Sequence, residues 1–593
     1  MRTKINYIKL LLIIVIAGFS ACSEDFLDRT PLTNITAEGY FQKASDFELY
    51  VNQFYPMLTS IAHYGFRPYS SDANTDNMVG DQPRSHFNGL TIVPSSDGNW
   101  KSHYSTIRKI NIMLSEGLEN LPESNYDDAK TFLAEGYFFR AYTYFGLLKR
   151  YGGVPIFEQP LYPDDTELLN KPRNSRYEVA KFILEDLDFA IENMNEFDVG
   201  TRLSKEAAAA FKARFCLFEG TWEKYHKEED TPFKAVKPDG TVSDGTEFLQ
   251  EAVEAAEIVM NSGRFTLYNE TDMPYFNCFN RQDQSENPEI IMFRHMLKER
   301  GDLIQNPSSF LYRATSNDWG QVGVTKDLVE AYLDIEGNPL SQSGFNYDDS
   351  SLDGVFENRD PRLKQLLYYP EFMVYEGQES LEYPEVPNLD NCPTGYHLKK
   401  GASQIYDNHI NFNEDETDYI IFRYAEVLLN YIEAKAELDL NSITQNDLDI
   451  TINALRDRGG LPAAAHLTLG NVPQDNQNIF FQNGMDPLLV EIRRERRIEL
   501  ACEGYRIDDL MRWAAVEEIL LGKRTFYGAK YNWWVETSND YKDGDFPVNG
   551  EGYLDPWEEF QGYTGFNSKR DYLYPLGTDE IGLAGYEQNP GWN

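Results

Sequence analysis

Two stretches of this chain mix flat aromatic rings with side chains able to pair with hydroxyl groups. Residues 63–99 hold Tyr64, Arg67, Tyr69, Asp72, Asn77, Arg84, His86, Phe87 and Asn88, and residues 294–320 hold His295, Tyr312, Arg313 and Trp319. A sugar presents alternating hydroxyls and patches of C–H, so recognising it takes ring faces together with Asn, Asp, Arg or His groups. Trp319 directly follows Ser316-Asn317-Asp318 and is the leading stacking platform, with packing beneath its own loop as the alternative. The ligand-contacting set read this way is Trp319, Tyr312, Arg313, Arg84, His86, Phe87, Tyr69, Asp72 and Asn77. Trp533, Trp534 and Trp557 are weaker candidates in a late insertion.

Signatures of catalysis are missing by comparison. There is no HExxH, P-loop, GxSxG or paired CxxC, and the eight histidines have no ligand spacing. Asp348, Asp349, Asp353 and Gly354 have the flavour of a calcium loop without its spacing or terminal Glu, and read as a polar turn. No catalytic residue, metal or cofactor is expected. Counting alone leaves a glycosidase carboxylate pair open among 96 acidic residues.

The N-terminus indicates export. Arg2, Lys4 and Lys9 precede an apolar run from Leu10 to Ala17, then Gly18-Phe19-Ser20-Ala21-Cys22. The run is about half the ~20 residues of a membrane span, so residues 1–21 read as a removable signal. Small residues before Cys22 point to a lipobox, with Cys22 acylated and held at a membrane; a plain secretory cut near Ala21 is the alternative. Formal charge is −42, and losing three signal cations deepens it, which argues against nucleic acid as a partner. Cys216, Cys278, Cys392 and Cys502 lie far apart, and Cys216 and Cys502 read as buried thiols.

Apolar periodicity predicts helices over 127–150, 175–190 behind a Ser175/Glu178 capping box, 204–217 behind Ser204, 247–260, 425–440, 445–458, 487–503 behind Asp486, and 505–521. Helix pairs at about 34-residue spacing predict a mostly α, tetratricopeptide-like scaffold, roughly 36–263 and 420–522. Residues 264–420 form a loop-rich insertion, 523–593 an irregular C-terminal region, and 22–593 together one domain. Arg493, Arg494, Arg496 and Arg497, interleaved with Glu491, Glu495, Glu499 and Glu503, suggest an anion clamp. Pairing with each other and with adjoining helices is the simpler account. Trp100 and Tyr104 read as packing anchors, and Arg359 as a loop tie.

These stretches together resemble the SusD/RagB family of outer-membrane nutrient-binding lipoproteins. The resemblance rests on Cys22-Ser-Glu-Asp, on Glu135-Gly-Tyr-Phe-Phe-Arg-Ala-Tyr and Tyr151-Gly-Gly-Val-Pro, on Leu203-Ser-Lys-Glu-Ala-Ala and Asn358-Arg-Asp-Pro-Arg, and on Ala425-Glu-Val-Leu-Leu-Asn-Tyr. Glu495-Arg-Arg-Ile-Glu-Leu-Ala-Cys-Glu-Gly-Tyr-Arg and Gln588-Asn-Pro-Gly-Trp complete it. It implies a non-enzymatic binder that captures oligo- or polysaccharide outside the cell and passes it to a SusC-like TonB-dependent transporter. It also implies that the ligand surface is built from the two loop neighbourhoods named above. RagB-like peptide capture and an exported glycoside hydrolase are the alternatives.

Overall fold

The structure is a computed structural model. It describes residues 37–58, 72–80, 83–165, 170–228, 231–270, 272–297, 322–368, 373–376, 379–382, 388–390, 392–402, 404, 416–521, 526–560, 563 and 565–592. Among these, eight helices have eight residues or more: α1 (Ala44–Val51), α2 (Gly98–Asn111), α3 (Tyr126–Tyr151), α4 (Arg176–Asn193), α5 (Lys205–Tyr225), α6 (Thr246–Asn261), α7 (Tyr424–Leu438) and α8 (Pro487–Glu499).

Local chemistry starts these helices where the sequence indicates. Ser175 Oγ accepts from Glu178 N at 3.2 Å, and Glu178 Oε2 accepts from Ser175 N at 2.7 Å, closing the capping box of α4. Ser204 Oγ accepts from Ala207 N for α5, and Asp486 caps α8 with Pro487 at its first position. Ala207–Ala210 are fully or almost fully buried, so α5 approaches its neighbours closely. Helices adjacent in sequence pack on one another, α2 on α3, α3 on α4, α4 on α5 and α5 on α6, and α7 then lies against α6 and α8. This is the expected stack of helix pairs.

Three expected helices are broken, each for a visible reason. The one over 487–503 stops at Glu499, because Cys502 and Gly504 adopt left-handed backbone (φ 64° and 89°) and the Cys502 N–H turns to Asp72 Oδ2 at 2.9 Å. The one over 505–521 divides into Arg506–Arg512 and Val516–Leu520 around Ala514 at φ 53°. The one over 445–458 carries a π turn at Asp449–Asn453, where Thr451 Oγ1 donates back to Asp447 O at 2.5 Å.

Strand content among the described residues is small: three antiparallel pairs join β1 (Met78–Val79) to β3 (Gly323–Val324), β2 (Ile290–Arg294) to β6 (Tyr419–Arg423), and β4 (Met373–Glu376) to β5 (Glu379–Glu382). Two apolar clusters result. One fills the helical stack; Trp100 is a member and Tyr104 packs against it, as anticipated. The other lies under the loop-rich insertion, around Tyr275, Tyr332, Leu363, Leu366 and Trp534. Arg359 ties that insertion down by donating to Val329 O and Tyr332 O at 2.6 and 2.9 Å. All four described cysteines are free and buried.

Helix α8 joins the clusters through buried charge. Arg423 donates to Glu499 Oε1 at 2.7 Å, Glu289 Oε1 at 2.8 Å and Glu503 Oε1 at 2.6 Å, and Arg458 also meets Glu499. Arg362, from the insertion, meets Glu495 and holds Asp360 at 2.8 Å; Arg456 reaches Glu491 at 2.7 Å. Burial alone would raise the Glu499 carboxyl, but Arg458, Arg423 and Arg362 pull it down to about 2. Arg493 pairs with Glu437, Arg494 with Glu491 and Asp475, Arg496 with Asp509, and Arg497 with Asp76 and Asp327, so the pairing account of the arginine block holds, with partners drawn chiefly from other elements.

Two stability predictions follow from these burials. Removing one partner of a buried pair strands the other, so Glu499→Gln is expected to cost about 3–5 kcal/mol in urea unfolding. Glu196→Gln, at the exposed Arg264–Glu196 pair, is expected to cost under about 1 kcal/mol. Equal losses would contradict this account. Burial lowers the imidazole of His86 to about 4, and those of His226 and His397 to about 3 and 4. A folded pKa below the unfolded one makes the contribution present above pH ~6.5 and lost as pH falls towards 4. The stability deficit of His86→Gln should thus be largest at pH 7 and shrink by pH 4.5, and a deficit independent of pH would refute it.

Candidate functional site

A cleft of about 720 Å³, within the range of small-ligand sites, opens among the described residues. Its floor is the junction of α3, α5, β6 and the segment Glu503–Arg512. Three half-buried tyrosines line it, Tyr142 on α3, Tyr419 on β6 and Tyr505 in the turn after α8, together with Phe145, Phe211 and Phe422. Tyr142 and Lys149 are seven residues apart on one face of α3, with Gly146 between them. A Cβ at Gly146 would meet His103 Nε2 at 2.7 Å, so the glycine lets α2 close that side of the cleft.

Charge in the cleft is fixed in place. Arg214 donates from Nε and Nη2 to the Glu426 carboxylate at 2.6 and 2.7 Å and to Tyr505 Oη at 2.8 Å, with its plane 4.8 Å from the Phe422 ring centroid. Lys149 Nζ bonds Asp508 Oδ2 at 2.7 Å at the rim, both side chains about one-third exposed. Asp509 is held by Arg496 and Arg512, and Glu503 by Arg423 and Lys400. His103 Nδ1 bonds Asn99 O at 2.7 Å, and burial lowers its pKa. Aromatic faces beside fixed donors and acceptors can stack on sugar rings and pair with hydroxyls. Each of these carboxylates is paired with a cation.

A second cavity, about 710 Å³, adjoins the first through Pro56 and Ile421 and is lined by Tyr55, Arg202, Phe293, Arg294 and His295. At its side Asp283, His295 and Asp418 bring ligand atoms within 4.8 Å of one another and could hold a divalent cation. Within the protein, Asp418 Oδ1 accepts from His295 Nδ1 and Met296 N, both at 2.9 Å, and Oδ2 accepts from Gln284 N at 3.0 Å. Burial raises the Asp418 carboxyl to about 6. The sequence reading did not find this group, whose members lie 12 and 123 residues apart.

The expected contact residues fall into two sets. Tyr69, Tyr312, Arg313, Trp319 and Cys22 lie outside the described residues. Asp72, Asn77, Arg84, His86 and Phe87 are described, and the structure commits them to internal contacts. Asp72 is fully buried and accepts from Asn77 Nδ2 at 3.0 Å and from the backbone N–H groups of Cys502 and Arg506. Asn77 Oδ1 accepts from Arg497 Nε at 2.8 Å. Arg84 donates from Nη2 to Ala73 O at 2.9 Å. His86 stacks on Tyr574 at 3.7 Å and bonds Asp571 O at 2.7 Å, and Phe87 packs edge-on to Tyr563 and Phe566. These five anchor the first loop and do not line the cleft. Trp534 and Trp557 are likewise interior, Trp557 donating to Gly80 O at 3.0 Å.

The cleft residues Tyr142, Lys149, Tyr419, Tyr505 and Asp508 were not singled out from sequence. One signal was available: Tyr142 and Lys149 share a face of α3 that the apolar stripe through Leu133, Tyr144 and Leu148 leaves free.

Comparison with known proteins agrees with this fold. A profile described as SusD family matches residues 267–592, and one described as starch-binding associating with outer membrane matches residues 25–217. A SusD-like protein of Formosa agariphila is 27% identical over 529 residues, covering 86% of this chain and 92% of that one. A SusD-like protein of Bacteroides ovatus is 26% identical over 507 residues, covering 84% and 80%. The crystal structure of a SusD-like carbohydrate binding protein from Bacteroides fragilis superposes with a TM-score of 0.66 at 24% identity, covering 92% of this chain and 99% of that one. A structure solved with xylogluco-oligosaccharide gives 0.54 at 17%, covering 93% and 96%. With a family profile spanning more than half its length and the helix-pair scaffold in place, the chain belongs to the SusD family.

Proposed function

We propose that this chain is a cell-surface lipoprotein that captures oligo- or polysaccharide and delivers it to a SusC-like TonB-dependent outer-membrane transporter. The observation that carries the reading is the cleft itself: three half-buried tyrosines beside pinned charges, in a cavity sized for a short oligosaccharide. The name of one structural relative and the bound oligosaccharide of another support glycan as ligand. Segments carrying Tyr69, Tyr312, Arg313 and Trp319 continue from Leu58 and Leu297, next to the two cavities, and are proposed to complete the ligand surface.

Anchoring is assigned to Cys22, with acyl chains in the outer membrane and the body facing the exterior. Among the described residues no helix is long and apolar enough to cross a membrane. The commitment of each cleft carboxylate to a cation supports binding without turnover.

Native affinity gels containing plant, host or microbial polysaccharides test the ligand. Retardation by one class, with no release of reducing ends, is the expected result. Tyr142→Ala and Trp319→Ala should each weaken it about tenfold, the loss of ~1.4 kcal/mol of stacking. Released reducing ends would establish a hydrolase instead, and retention of oligopeptides alone would establish peptide capture. In cells, Cys22→Ser should abolish acyl labelling and move the protein from the membrane pellet to the soluble fraction; an unchanged membrane fraction would reject the anchor.

A further inference from the structure

On a different face of α8 from the glycan cleft lies a smaller cavity of about 170 Å³ whose wall carries Arg493, Arg494, Arg497 and Arg506 against two carboxylates, Asp76 and Asp327. Four guanidinium groups around so small a space are unusual in a chain with a formal charge of −42.

Arg494 commits all three nitrogens, to Glu491 Oε2, Ala331 O and Asp475 Oδ2 at 3.0, 3.3 and 2.6 Å, whereas the pairing of the other three leaves donors over. Arg493 uses only Nη2, on Tyr225 Oη at 2.7 Å and Glu437 Oε1 at 2.8 Å; its Nε is buried with no hydrogen-bond partner. Arg497 uses Nε on Asn77 and Nη2 on Asp76 O and Asp327 Oδ2, each at 2.8 Å. Arg506 uses Nε and Nη2 on the Asp76 carboxylate at 2.9 and 2.6 Å. In all three, Nη1 makes no hydrogen bond to any described residue. The carboxylates nearby are shared: Asp76 serves both Arg497 and Arg506, and Glu437 serves Lys224 as well as Arg493. Asp327, 40% exposed, is the one acidic group at this cavity open to solvent.

Guanidinium groups with donors to spare, converging on a space that admits a few water molecules, have the geometry that takes a planar or tetrahedral oxyanion through several charge-assisted bonds. We propose that this cavity binds one small oxyanion, a carboxylate, sulfate or phosphate, either free or as the acidic group of a sugar. It is separate from the glycan cleft, so either assignment stands if the other fails.

Selenate soaked into crystals of the mature protein should give one anomalous peak in contact with Arg493, Arg497 and Arg506. In solution, sulfate should raise Tm beyond sodium chloride at matched ionic strength. Asp327→Asn removes the competing carboxylate and should tighten sulfate at least threefold, with retention on the glycan gel unchanged. Arg497→Gln should weaken sulfate at least tenfold, with far-UV circular dichroism checking its fold. Titration with galacturonic acid, and with glucose as the neutral control, separates the sources. Binding of galacturonic acid but not glucose assigns a sugar-borne carboxylate, and binding of sulfate alone assigns a free ion. No selenate peak in the cavity, no sulfate-specific rise in Tm, or sulfate affinity unmoved by Asp327→Asn would each overturn the proposal.

Discussion

The structure depends on keeping the charges of α8 paired while they are out of water. A buried carboxylate or guanidinium is tolerated only when paired and hydrogen-bonded, and an unpaired one costs several kcal/mol. Glu499 alone faces Arg362, Arg423 and Arg458, which come from the insertion, from β6 and from the region after α7. All three contacts to Glu499 are made only when those three segments are brought to α8. The network thus couples the helical stack to the loop-rich region, and the motif block Glu495–Arg506 is chiefly a device for that coupling.

From this constraint the position of the cleft follows. Arg423 is drawn inward by Glu289, Glu499 and Glu503, which pins the end of β6 and brings Tyr419 to the wall. The turn after α8 is fixed by Asp72 accepting from Cys502 and Arg506, and it sets Tyr505 against Arg214 and Glu426. The proposed ligand surface therefore sits on paired, packed elements, the condition under which ring faces and hydrogen-bond donors stay placed with a reduced entropic cost at binding.

Local structure was legible wherever neighbouring residues determine it. The Ser175/Glu178 box, the Ser204 cap and the Pro487 start each involve side chains within a few residues of the backbone they satisfy, and sequence spacing identifies them. The breaks at Cys502 and Ala514 were not legible, because long-range bonds and left-handed backbone decide them and helical periodicity passes straight through. The site divides in the same way. A loop rich in Asp, Asn, Arg, His and Phe looks alike whether it greets a ligand or seals a corner. Asp72, Asn77, Arg84, His86 and Phe87 do the second, their partners being Cys502, Arg497, Ala73, Asp571 and Tyr563. Most of those partners lie more than 400 residues away, beyond any spacing argument. The cleft tyrosines were hidden for the converse reason, since they belong to segments whose dominant signal is packing.

Recognition and catalysis place opposite demands on carboxylates, and the cleft meets the first. Glycoside hydrolysis needs one carboxyl able to keep a proton near neutral pH and another free to act as base or nucleophile, at a defined separation across the sugar. A carboxylate bonded to a guanidinium or ammonium group is stabilised as the anion and sterically occupied. In this cleft Glu426 is gripped in bidentate fashion by Arg214, Asp509 lies between Arg496 and Arg512, Glu503 lies between Arg423 and Lys400, and Asp508 holds Lys149. Releasing Glu426, Asp509 or Glu503 for proton transfer would unpair a cation in or beside the core. The interactions that hold the scaffold together thus occupy these four carboxylates, while Tyr142, Tyr419 and Tyr505 lie half-buried on the wall of the cleft.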